Sequence, residues 1–276
     1  MRKRKHLSRA YVGLVMAFLY LPIVILIVYS FNASKSRSLW TGFTLDWYKK
    51  LFSNEMIVGS LLVTLAVAVI ASVVATVIGT LAAIGISNMK KRTRSVVMNM
   101  TYVPILNPEI VTGVALMLLF VFFKNFLHFE FGLVTLALAH ITFCTPYVIL
   151  NVMPKLRQMD KYQLEAAADL GCNPRQTFFK VVIPEIMPGI IAGFLMAFTY
   201  SLDDFIISYF TSGPTTQPLS VTIFSMTRRK VSPEINALST IIFVVVLLVL
   251  LIMNIRDARK EQQEKKKRRE LKCEDF

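Results

Sequence analysis

An all-α fold of six membrane-spanning helices is predicted by three features of the sequence. The chain is 55% hydrophobic with a mean hydropathy of +0.57, yet it carries a formal charge of +14. Six runs are long enough to cross a bilayer, since a helix rising about 1.5 Å per residue needs about 20 apolar residues for a hydrocarbon core about 30 Å thick. All 31 Lys and Arg residues fall outside those runs. Soluble domains seldom combine such apolarity with such basicity.

The spans are Tyr11 to Phe31, Ile57 to Ile86, Val96 to Phe123, Gly132 to Met153, Met187 to Phe210 and Ala237 to Ile255. They leave a basic tail (1–10), a membrane domain (11–255) with one long loop (155–186), and a charged tail (256–276). The first span follows Arg2, Lys3, Arg4 and Lys5, as the apolar run of a cleaved leader does. It is long enough to span, and Asn32-Ala33-Ser34 is a weak cleavage site, so a retained anchor is expected.

Lys and Arg accumulate in short cytoplasmic loops. The N-terminal tail holds five, the 87–95 loop four, the 155–180 loop five and the segment after Ile255 nine, which puts 23 on one side and leaves 8 on the other. Both termini are therefore expected in the cytoplasm of a multi-pass plasma-membrane protein, and six spans agree with that parity. The largest basic cluster, Lys265 to Arg269, is flanked by Glu264 and Glu270 and follows a span, which fits a solvated tail beside anionic lipid rather than nucleic-acid binding. Cys144, Cys172 and Cys273 are scattered, and His6, His128 and His140 lack ligand spacing, so no metal site is expected. Neither a GxSxG elbow nor an HExxH helix occurs, so no catalytic residue is expected either.

The stretch from Pro154 to Pro188 is too long and too patterned for a linker, and reads as two helices around a turn. The first, about Asp160 to Leu170, contains Glu165-Ala166-Ala167-Ala168, good helix formers with little bulk. Gly171 stands where a helix end tolerates positive φ, and Asn173-Pro174 restarts the chain. An apolar stretch then ends at Pro184, before Pro188 opens the fifth span.

Glu165-Ala166-Ala167, three residues, Gly171, nine residues, then Val181-Val182-Ile183-Pro184 resembles the EAA loop of binding-protein-dependent ABC importer permeases, usually written EAA-x3-G-x9-I-x-L-P. Val181 replaces the usual Ile and Ile183 the usual Leu, both conservative. The resemblance implies the type I importer permease fold, with this loop as a coupling helix seated in a cleft of the ATPase subunit. It also implies a second permease chain, an extracytoplasmic binding protein, and ATP with magnesium held by the partner ATPase. No GxxxxGK[ST] phosphate loop occurs here, so this chain is expected to hold no cofactor.

Three acids lie within the spans: Glu109 in the third and Asp203 and Asp204 in the fifth. Burying each costs about 2.5 to 3.5 kcal/mol on insertion scales, and such residues commonly mark a pathway. No basic residue within the spans is available to pair with them, so water, protonation, a partner subunit or a cationic solute is needed. Tyr200, Phe205, Tyr209 and Phe210 flank the Asp pair, and cation–π contacts with ammonium groups suit such a lining. Adjacent helical residues point about 100° apart, so one Asp faces a path while the other caps or contacts a neighbour. The competing reading is that the acids only stabilise helix packing. Pro104, Asn107 and Pro108 predict a break before Glu109, of a kind that lines a cavity or merely kinks a packed helix.

Tyr29-Ser30-Phe31-Asn32, His140-Ile141-Thr142-Phe143-Cys144 leading to Pro146, Ser201-Leu202-Asp203-Asp204 and Ser232-Pro233-Glu234-Ile235-Asn236-Ala237-Leu238 resemble the spermidine/putrescine permease subunits of that family. This implies polyamine import. The alternatives are an importer permease for another small solute and, from a different class, an ion-driven secondary transporter, which would leave the EAA-like loop unexplained.

Overall fold

The computed structural model describes residues 2–34, 39–127, 130–229, 233–245 and 247–248. It divides into two units, Met56–Ser225 and the described parts of Met1–Glu55 with Met226–Phe276.

The larger unit begins in α3 (Glu55–Ser87). Its buried stripe runs Thr64, Ala68, Ala71, Ser72, Ala75, Gly79, Thr80 and Ala83, small residues at helical spacing. Helices surrounded by lipid gain nothing from burying Leu against Leu, so close backbone approach through small residues holds them together. After α4 (Lys91–Leu106) and α5 (Glu109–Leu127), α6 (Leu133–Gln158) enters as the unit's most buried helix. Val148 of α6 is fully buried between two glycines. A Cβ on Gly79 would stand 2.7 Å from the Val148 Cβ, and one on Gly193 would stand 3.2 Å from its Cα. A side chain at Gly79 would clash with Val148 and one at Gly193 would press on its backbone, so both glycines bear on how closely the helices approach.

A short α7 (Lys161–Asp169) leads to α8 (Pro174–Asp203), which lies along α6 in the most extensive helix contact of the unit. Here the structure corrects an expectation. The Phe178 to Pro184 stretch is not a separate helix before the fifth span; one helix runs from the Asn173 cap to Asp203. A π-turn at Phe178–Val182, closed by the Ile183 N–H to the Phe178 carbonyl, precedes Pro184, and Pro188 lies within the helix. Widening the turn is a known way to pass a residue without a donor through a helix. Two shorter helices, α9 (Ile206–Thr211) and α10 (Leu219–Arg229), follow; α9 packs on α5 and α6.

In the smaller unit, α1 (Arg2–Ser30) is apolar and exposed along most of Tyr11–Ser30. Its end is organised by buried Asn32, which donates to the Leu39 carbonyl at 2.8 Å and accepts from Ser34 and Thr41 N–H. The Trp47 indole of α2 (Asp46–Ser53) donates to the Asn32 carbonyl at 2.7 Å. Asn54 donates to Glu234 in α11 (Pro233–Val245) at 3.4 Å.

Four described helices are long and apolar enough to cross a membrane, and a fifth span is formed if α4 and α5 count as one crossing broken by 101°. The break falls at Asn107-Pro108, where Asn107 is extended, as a residue before proline is pushed to be. Of the sixth predicted span, α11 is a described apolar helix shorter than a full crossing, while 246 and 249–255 lie outside the described residues, as does the 256–276 tail.

Candidate functional site

The predicted site residues fall into two places. Around the EAA-like loop, the Asp160 carboxylate caps α7 by accepting the Tyr162 N–H at 3.0 Å. Gly171 adopts φ +76°, its N–H donating to the Ala168 carbonyl at 2.9 Å while the Cys172 N–H donates to Ala167 at 3.0 Å. That pair of bonds ends the helix in a Schellman turn, which needs a left-handed residue at that point. Asn173 and Gln176 then cap α8 reciprocally, at 2.9 and 3.0 Å. Ala167 is buried against its own chain, whereas Glu165, Ala166, Gly171 and Pro184 are exposed. Tyr162, Leu170 and Phe179 are exposed beside them, so an apolar, small-residue surface stands on a rigidly capped base.

The second place is where the fifth span breaks. Asp204 is extended, with ψ 129°, so α8 ends there and α9 starts afresh. The two adjacent acids part at this break. Asp203 is exposed. Asp204 is buried, and its carboxylate accepts the N–H of Ile207 at 3.2 Å and of Ser208 at 2.7 Å, capping α9. Its own carbonyl accepts the Ser220 hydroxyl at 2.8 Å. Asp204 thus has neutral donors around it, a solution that counting basic residues in the sequence could not reveal.

His140 completes the centre. It is 2% exposed, with Nδ1 2.7 Å from the Ser201 Oγ of α8 and Nε2 3.1 Å from the Ser208 Oγ of α9. The Asp204 Oδ2 lies 3.5 Å from Nε2. Sequence reasoning passed over this histidine because it looked for metal-ligand spacing; its polar partners are serines and an aspartate from distant segments.

Tyr200, one turn before Asp204, packs against Tyr147 of α6 with ring centroids 4.4 Å apart and the rings tilted by 33°. Phe143 meets both rings edge-on, at 5.7 and 6.2 Å. Glu109 is exposed at the start of α5, in the first turn where a carboxylate complements the helix N-terminus, and lies within electrostatic reach of Tyr147. Tyr147 was not singled out in the sequence; its one signal was helical spacing, since His140, Phe143 and Tyr147 share a face of α6. Phe205, Tyr209 and Phe224 form a second aromatic group beyond the break, with Phe205 and Phe224 4.8 Å apart.

A helical membrane domain with broken spans at its acids, and a capped, exposed helix between two spans, define a polytopic membrane protein. Residues 75–262 match the family described as "Binding-protein-dependent transport system inner membrane component". The putrescine transport system permease protein PotI of Escherichia coli strain K12 is 40% identical over 228 residues, covering 82% of this chain and 81% of that one. The spermidine/putrescine transport system permease protein PotC of Haemophilus influenzae is 36% identical over 242 residues, covering 88% and 93%. A solved bacterial ABC transporter involved in the import of the acidic polysaccharide alginate shares the fold, with a TM-score of 0.69 at 14% identity over 92% of this chain and 95% of that one. The chain belongs to the family of binding-protein-dependent transport system inner membrane components: it is a permease of an ABC importer, homologous to putrescine and spermidine transport permeases. Membership implies an ATPase and a binding protein as partners.

Proposed function

We propose that this permease imports polyamines, and that the solute passes the paired Tyr147 and Tyr200 rings between Asp203 and Glu109. The observation carrying this reading is the Tyr147–Tyr200 pair at 4.4 Å, beside exposed Asp203 at the broken end of α8 and with Glu109 in electrostatic reach. Aromatic faces and separated carboxylates complement a chain of ammonium groups joined by methylenes, and would repel an anionic solute. The putrescine and spermidine relatives support the same class. Asp204 belongs to the frame of this path, because its oxygens are engaged with α9.

In the same proposal the chain crosses the membrane six times with both termini cytoplasmic. It pairs with a second, similar permease chain, and the path lies between the two. The exposed surface of α7, with Glu165, Ala166 and Ala167 on the helix, Gly171 ending it and Pro184 in the helix behind, seats in the ATPase subunit that binds ATP and magnesium. An extracytoplasmic binding protein delivers the solute.

The test is spermidine uptake into vesicles holding the full complex, with ATP inside and the membrane potential intact or collapsed. Uptake should require ATP and survive collapse of the potential. One charge–charge contact at 4 Å is worth about 1 to 4 kcal/mol between water and a protein surface, so Asp203→Asn should lower the apparent affinity about ten-fold. Unchanged spermidine uptake in Asp203→Asn would remove that residue from the path, and an ATP-driven flux of some other solute but not of polyamines would remove the substrate class.

A further inference from the structure

We infer that His140 is a positioning residue that fastens the two halves of the broken fifth span to α6, so that movement entering at the coupling loop reaches α9 instead of being lost at the break. This rests on the proposed role of the α7 surface as the ATPase contact, but not on which solute is carried.

The break creates a mechanical problem. From Pro174 to Asp203 the chain is one helix, so displacement at the coupling loop is carried along it as along a rod. At Asp204 the helical ladder stops, and α9, which packs on α5 and carries Tyr209 toward the exposed side, is a separate piece. Two helices joined by an extended residue move independently unless something else ties them.

Side chains from three helices supply the tie. His140 of α6 reaches Ser201, in the last turn of α8, through Nδ1, and Ser208, in the first turn of α9, through Nε2. Ser208 also gives its backbone N–H to Asp204 at 2.7 Å. One tautomer serves both contacts: Nε2–H donates to the Ser208 hydroxyl, while Nδ1 accepts the Ser201 hydroxyl. The ring therefore bridges the gap that the backbone ladder leaves open. Further down α8, the Cys144 thiol donates to the Ala197 carbonyl at 3.4 Å, and the Val148–Gly193 contact holds the same two helices together. These contacts secure α6 to α8, and the Thr135 hydroxyl of α6 separately donates to the Thr211 carbonyl of α9 at 2.9 Å; among these side chains His140 is the one that bonds both halves.

The polar cluster is fully buried, and the ring meets Phe143 edge-on at 6.3 Å; Phe143 in turn packs against Tyr147 and Tyr200. His140 is thus one side chain away from the aromatic pair without touching the path itself.

The experiment uses the complete complex with the ATPase, in a background where Cys144, Cys172 and Cys273 are replaced by Ser. Tyr209→Cys, beyond the break, reports on α9 through its rate of labelling by a permeant thiol reagent, with and without ATP. In the background carrying His140, ATP should change the labelling rate at least about five-fold, the lower end of typical allosteric coupling. With His140→Leu the change should fall below about two-fold while ATP hydrolysis persists. Glutamine places an amide near Nε2 and asparagine near Nδ1, so His140→Gln should retain more of the ATP response than His140→Asn. Should His140→Leu fail to assemble, Ser208→Ala tests the same link with the histidine in place, and should reduce the response in the same direction. An undiminished response in these variants, a loss of hydrolysis in step with it, or no response with His140 present would each overturn the inference. Failure of the polyamine reading would appear elsewhere, as absent spermidine uptake by the unmodified complex.

Discussion

At the scale of single residues, the adjacent acids of the fifth span show how far a sequence reaches. Three acids inside apolar runs are visible at once, and the 100° between neighbours dictates that Asp203 and Asp204 point apart. Which one turns inward depends on the break after Asp203, which no proline or glycine at 203–205 announces. His140 was invisible for another reason: its partners Ser201 and Ser208 are 61 and 68 residues away in the chain. The geometry separates the two acids experimentally. Asp204→Asn places an NH2 group among the donors of Ile207 and Ser208, and losing a charge-assisted acceptor in a buried site costs about 1 to 3 kcal/mol. It should lower the midpoint of thermal unfolding of the purified complex, whereas Asp203→Asn should leave that midpoint unchanged and act on uptake alone. Equal loss of stability in both would contradict the division of labour.

At the scale of elements, the coupling loop was the most legible part of the chain because its signals are local. Good helix formers, a glycine at the stop and Asn-Pro at the restart specify α7, the turn and the start of α8 without help from distant residues. What was not legible is that the restart runs without interruption into the fifth span. Pro184 and Pro188 are breakers by local rule, and the π-turn at Phe178–Val182 that precedes them leaves no mark in the composition. The continuity matters, because it joins the surface proposed to meet the ATPase to Asp203 through one helix. Gly171 fixes the angle at which α7 stands on that helix, and a β-carbon at φ +76° costs about 1 to 2 kcal/mol. Gly171→Ala should therefore weaken association of the permease with its ATPase by about 5- to 30-fold in a binding titration. An unaltered affinity would mean that the turn does not set the docking surface.

At the scale of the whole molecule, the all-α membrane class followed from composition and run length, and the family match and shared fold agree with it. The number of crossings is harder to read, since hydropathy sees neither the 101° break between α4 and α5 nor the stop at Asp204. Parity turns that uncertainty into a measurement. With five crossings the two ends of the chain lie on opposite sides; with six they share a side. The six-crossing proposal, which follows the distribution of basic residues, 23 against 8, expects both ends, the 87–95 loop and the EAA-like loop on the cytoplasmic face. In the background with Cys144, Cys172 and Cys273 replaced by Ser, single cysteines at Ser8, Glu165 and Glu274 should react with an impermeant thiol reagent only after the membrane is opened. A cysteine at Ser53, at the end of α2, should react in intact cells. Labelling at position 274 from outside would leave five crossings. The region after α11 would then have to lie on the outer surface, and the nine basic residues beyond Ile255 would face away from the cytoplasmic leaflet whose negative surface potential favours them.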